Sequence, residues 1–125
     1  MNGKIIISVV DDDPLVRDST VDPMNSIGYE AIGFESAEKF LDSDQLNNTS
    51  CLITDLQLPG LNGIQLQEQL QRSGHRTPVI FMTAFPQAAL RARALAAGAV
   101  AFLSKPFKES ALLSSLDDAL RDLPS

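Results

Sequence analysis

In IIISVVDDDP, residues 5–14, six mostly apolar and largely β-branched residues run straight into three aspartates and a proline. An apolar run of that length with a polar stop reads as a strand buried on both faces, the kind that lies in a parallel sheet beneath helices. Pro14 suits the first position of a helix, where its missing N–H costs nothing, and Asp12 or Asp13 falls where the N-cap is needed. The segment is therefore a strand, an acidic turn and a helix start. Val16, Thr20, Met24 and Ile27 give that helix an inward face, Gly28 ends it, and Pro23 is expected to kink its last turn.

The same unit recurs along the chain. Residues 30–34 form a short second strand, and Ser36 caps a helix to about residue 43, with Phe40 and Leu41 turned inward. After a polar loop, CLIT at 51–54 is a third buried strand that ends at Asp55. A loop holding Pro59-Gly60 leads to a helix over 63–72 with Leu66 and Leu70 four apart. Strand four covers 79–82 and ends at Thr83; helix four covers 86–97 and stops at Gly98. Strand five covers 100–103. Helix five starts near Glu109, with Leu112, Leu113, Leu116 and Leu120 inward. Five strands alternating with five helices imply an α/β fold, a doubly wound parallel sheet with right-handed crossovers. Such sheets place their chemistry at the carboxyl ends of the strands.

Bulk properties agree. The chain has 125 residues, 44% apolar and 21% charged, which suits one soluble domain over 1–125. Order is expected to about residue 121, with 122–125 reading as the start of a linker. A net charge of −6 argues against direct nucleic-acid contact. No apolar run is long enough to span a membrane. The single cysteine, Cys51, excludes an intrachain disulfide and points to a reducing, cytoplasmic setting.

The residues just beyond the strands are the informative ones. Asp11, Asp12 and Asp13 follow strand one, Asp55 strand three, Thr83 strand four, and Ser104-Lys105-Pro106 strand five. Carboxylates packed this closely repel each other, so a positive group must offset them: Lys105, a divalent cation, or both. Mg²⁺ (or Mn²⁺) suits such a place, with Asp12, Asp55 and the backbone carbonyl of Gln57 as oxygen ligands and Asp11 acting through water. Beside a metal, Asp55 can attack as a carboxylate nucleophile. Metal, Lys105 and the Thr83 hydroxyl can each hold one phosphoryl oxygen.

VVDDDP, CLITDLQLPGLNG, PVIFMTA and GAVAFLSKPF, in this order, resemble the receiver domains of two-component response regulators, of the type that precedes helix-turn-helix output domains. The resemblance runs from Ile5 to about Leu120. It implies the flavodoxin-like receiver fold with strand order 2-1-3-4-5. It implies Asp11 and Asp12 as the acidic pair, Asp55 as phosphoacceptor, Thr83 as switch hydroxyl, Phe102 as switch aromatic, Lys105 as the lysine, and a cis bond before Pro106. Gln57 and Phe85, each two residues past a key position, match positions that tune phosphoryl lifetime. Here the chain departs from the family: Ala84-Phe85-Pro86-Gln87 replaces a polar, glycine-containing loop. Leu58 stands where Met is usual. The implied partners are a sensor histidine kinase, a second copy docking through helix four, strand five and helix five, and a C-terminal DNA-binding output domain.

Taken singly, several residues have ordinary roles: Asp13 as a cap, Cys51 as a small core residue, His75 in a polar loop, Arg91 and Arg93 on a solvated face. Other functions on this sheet fit worse. A haloacid-dehalogenase-type phosphatase needs an aspartate where Gln57 stands. A nucleotide or flavin module needs a Gly-rich or hydroxyl-rich first turn, and DDDP repels phosphate. The remaining alternative is a receiver-like interaction module that is never phosphorylated, which phosphorylation data separate from the first reading.

Overall fold

The computed structural model describes residues 5–85 and 87–121. Its elements alternate: β1 (Ile6–Val10), α1 (Pro14–Ser26), β2 (Glu30–Phe34), α2 (Ala37–Leu41), β3 (Cys51–Asp55), α3 (Gly63–Arg72), β4 (Val79–Thr83), α4 (Ala88–Ala96), β5 (Ala101–Ser104) and α5 (Glu109–Arg121). The five strands form one parallel sheet in the order β2-β1-β3-β4-β5. β3 and β4 are buried along their whole length, which is why their sequences are nearly continuous apolar runs.

Because side chains alternate across a sheet, each strand feeds two cores. Ile7, Val9, Ile53 and Met82 point to the layer made by α1 and α5, where Met24, Leu112 and Leu116 meet them. Val10, Leu52 and Phe81 point to the layer of α2, α3 and α4, where Phe40, Leu66 and Leu70 fill the space. Phe34 meets the edge of Phe40 with ring centroids 5.4 Å apart.

Three local features depart from the sequence reading. Helix one runs through Pro23 to Ser26, and Ile27, expected inward, is 55% exposed. Ile27 is the C-cap and has left helical geometry, so the inward stripe ends at Met24. Helix four spans Ala88–Ala96 instead of 86–97, and only Ala94 is buried in it. Its N-cap, Gln87, makes no side-chain capping bond, in contrast to α1, capped by Asp13, and α3, closed by an Asn62–Gln65 capping box. Strand five is Ala101–Ser104, one residue later than expected. The helix-four start at Pro86 and the linker at 122–125 lie outside the described residues. No helix among the described residues is long and apolar enough to cross a membrane.

Candidate functional site

The strand ends converge on one place at the carboxyl edge of the sheet. β1 delivers Asp11, which is fully buried. Its backbone N–H donates to the Phe34 carbonyl at 3.1 Å, and its Oδ1 accepts the Asp13 N–H at 2.9 Å. Asp13 in turn accepts the Leu15 N–H as the N-cap of α1. β3 delivers Asp55, only 6% exposed, whose Oδ1 accepts the Gln57 N–H at 3.1 Å. Gly63 makes this end compact: a Cβ there would stand 2.5 Å from the Asp55 carbonyl oxygen, so only glycine lets α3 start against that main chain.

Lys105 comes from the end of β5. Its Nζ donates to Asp11 Oδ2 and to Asp55 Oδ2, each at 2.7 Å, with only 14% of its side chain exposed. Its N–H donates to the Thr83 carbonyl at 2.7 Å, and the Lys105–Pro106 bond is cis. Charge-assisted bonds this short are strong, and both partners are largely withdrawn from water. Burial pushes the Asp55 carboxyl above its ordinary range, against the hydrogen bonds from Lys105 and Gln57. For Lys105, burial alone lowers the ammonium pKa, but the bonds and charges of Asp11 and Asp55 outweigh it and the net shift is upward.

The acids also suit a cation. Asp11, Asp12 and Asp55 each present a carboxylate oxygen within 4.8 Å of the others. Mg²⁺ takes oxygen ligands from one or two carboxylates and keeps several waters, so acids gathered this closely fit it. Three carboxylates against one ammonium leave two negative charges, the amount a divalent ion neutralises. Asp12 is exposed, so an ion has access from solvent.

Thr83, at the end of β4, is fully buried. Its hydroxyl donates to Gln57 Oε1 at 2.7 Å and accepts the Phe85 N–H at 3.0 Å. The Phe85 side chain is 63% exposed. Phe102 sits on β5 in register with Phe81, partly buried against the core beneath α4, on the same sheet face as Thr83. The structure thus brings Asp11, Asp12, Asp55, Gln57, Thr83 and Lys105 together. Phe102 stays in the neighbouring core layer.

Three contacts escaped the sequence reading. Arg17 Nη1 donates to the Asp11 carbonyl at 2.7 Å, and its stem lies over Gly33, where a Cβ would come within 2.8 Å of it. A glycine inside a strand is the one sequence signal for such a close approach. Glu38 accepts the Leu61 N–H at 2.9 Å, which ties α2 to the loop after Asp55; that bond holds the Glu38 carboxyl below its ordinary range. The third is the side-chain bond between Gln57 and Thr83.

Comparison with known proteins agrees with this geometry. The family model described as the response regulator receiver domain matches residues 7–117. Nodulation protein W of Bradyrhizobium diazoefficiens is 41% identical over 113 residues, covering 90% of this chain and 50% of its own. The transcriptional regulatory protein TdiR of Thauera aromatica is 39% identical over 114 residues, covering 91% and 50%. The chain therefore spans about half the length of these relatives. Among solved structures, FixJ-N superposes with a TM-score of 0.87 at 28% identity, covering 100% of this chain and 99% of that one. The response regulator StyR gives 0.86 at 39% identity, covering 94% and 60%.

Proposed function

This chain belongs to the family of response regulator receiver domains, and on that premise we propose that Asp55 is its phosphoacceptor. Receivers of two-component systems take a phosphoryl group and change conformation. The observation that carries the assignment to Asp55 is the buried Lys105 ammonium bridging Asp55 and Asp11 at 2.7 Å, with Asp12 alongside.

Asp55 is held through both carboxylate oxygens, so it meets a donor in a fixed orientation. One Asp55 oxygen bonds to phosphorus as the donor's bond to that phosphorus breaks, and the donor's leaving group departs with the electron pair. Asp11, Asp12, Asp55 and the Gln57 carbonyl would hold Mg²⁺, which supplies charge neutralisation on the transferred oxygens when bound. Lys105, already at Asp55, faces the same oxygens and keeps its charge throughout. Thr83 then donates its hydroxyl to a phosphoryl oxygen. Phe102, on the same sheet face, follows the loop between β4 and α4.

The phosphodonor in this reading is a sensor histidine kinase. The output lies in a further domain of a longer parent chain, in keeping with relatives about twice this length and with the regulatory name of TdiR. The signal leaves through α4, β5 and α5. α4 has a single buried residue, Ala94, and no side-chain N-cap bond, and its Arg91 and Arg93 are exposed. Incubation with a small acyl phosphate and Mg²⁺ is expected to add one phosphoryl mass, lost in Asp55→Asn and in chelator. Labelling that persists in Asp55→Asn would overturn the assignment.

A further inference from the structure

The Thr83 hydroxyl has one proton, and the unmodified domain already uses it. Oγ1 lies 2.7 Å from Gln57 Oε1 and 3.0 Å from the Phe85 nitrogen. The shorter distance is typical of O–H···O and short for N–H···O, which makes the hydroxyl the donor and Gln57 the acceptor. The Phe85 N–H fills an acceptor position on the same oxygen. A hydroxyl has one donor, so Thr83 cannot give a full hydrogen bond to Gln57 and to a phosphoryl oxygen at once. Gln57 is also tied to the acceptor side, because its backbone N–H bonds Asp55 Oδ1 at 3.1 Å. One residue therefore spans the two groups that must meet.

We propose that Gln57 is a positioning residue that acts through Thr83, its carboxamide competing with the phosphoryl group for the hydroxyl proton. This rests on the reading of Asp55 as phosphoacceptor and Thr83 as its donor. The exchange runs toward the phosphoryl group because an anionic acceptor outbids a neutral one. It leaves nothing stranded, since Gln57 is exposed and water takes over its carboxamide, whereas Thr83 is fully buried and is cut off from water. Gln57 thus sets a threshold for switching, and removing its acceptor lowers that threshold. A neutral hydrogen bond in partial contact with water is worth roughly a two- to tenfold change in equilibrium.

The test is a double-mutant cycle read by binding of beryllofluoride, a phosphoryl mimic, at saturating Mg²⁺. The four chains are the parent, Gln57→Leu, Thr83→Val and the double variant. Gln57→Leu keeps the backbone N–H and carbonyl and removes only the side-chain acceptor. It is expected to tighten beryllofluoride about two- to tenfold when Thr83 is present and to change nothing in the Thr83→Val background. Gln57→Asn, too short to reach Oγ1, is expected to behave like Gln57→Leu. Equal tightening in both backgrounds would show that Gln57 acts on the ligand directly and would overturn the proposal. No tightening beside Thr83 would overturn it as well. If the parent itself fails to bind the mimic, or binds no better than Asp55→Asn, the phosphoacceptor reading falls and takes this one with it.

Discussion

Replacing Lys105 by Met keeps the aliphatic stem and removes the ammonium that joins two acids of which Asp11 is fully buried and Asp55 is 6% exposed. Breaking a buried ion pair from one side typically costs about 3–5 kcal/mol, because the other charge stays in place without a partner. Here 14% of the lysine side chain is open to solvent and Asp12 leads outward, so water screens part of that loss. A cost of about 2–3 kcal/mol is therefore expected in chelator, or roughly 8–12 °C in Tm for a domain this size. Mg²⁺ should recover more of this loss than it adds to the parent, since the freed acids gain more from a cation. Acid should also help. Without Lys105, burial and the Asp11 charge both hold the Asp55 carboxyl high. A carboxyl raised in the fold is destabilising above its folded pKa, and that penalty fades as pH falls from the folded toward the unfolded value of 3.8, so the deficit narrows toward acid. In the parent, the raised Lys105 contribution is complete below 10.5 and is lost as pH rises through its folded value. Thermal melts of both proteins, with chelator and with Mg²⁺, check the reasoning. A variant that melts within about 2 °C of the parent in chelator, or that gains no more from Mg²⁺, would refute it.

Asp12→Asn is expected to weaken Mg²⁺ binding yet raise the melting temperature of the metal-free domain by relieving repulsion; a fall in that temperature, measured in chelator, would count against the acidic cluster. Phe85→Glu should alter the decay rate of the phosphorylated domain, followed by intact mass, because an exposed apolar side chain two residues past Thr83, bonded to it through its backbone N–H, would give way to an acid; an unchanged rate removes Phe85 from the lifetime. Thr83→Ala should still be phosphorylated on Asp55 but should fail to change its assembly state on size-exclusion chromatography, whereas dimerisation equal to the parent's would show that the hydroxyl is not the relay. Cys51 is fully buried and its thiol is pushed up to about 12 by burial, so thiol reagents at neutral pH should label it only as fast as the domain opens. Its contribution to stability is complete below 9.0 and is lost as pH climbs toward the folded value.

The sheet was legible because strands covered on both faces carry nearly continuous apolar runs, as residues 79–82 do. The acids were legible for the same reason: Asp11 and Asp55 are the first charged residues after such runs. Helix four was harder to bound. Its alanine-rich sequence has no apolar stripe, so its ends are set by packing around Ala94 and not by a local pattern. Ile27 misled because the inward spacing continues one step past the point where the backbone leaves the helix. Contacts such as Glu38 to the Leu61 N–H, or Gln57 to Thr83, join polar groups 23 and 26 positions apart. No local periodicity announces a pairing of that kind, because it depends on how the loop after β3 meets α2 on one side and the end of β4 on the other.

The lysine and its first acid are 94 residues apart. On a ribosome making about 5–20 residues each second, Asp11 waits roughly 5–20 seconds before Lys105 is made, and Asp55 waits about half as long. Once Asp55 is made, β1 and β3, which pair directly and carry the two acids, are both present without the lysine that bridges them. In that interval a cation from solution is what can stand between the two acids in the lysine's place.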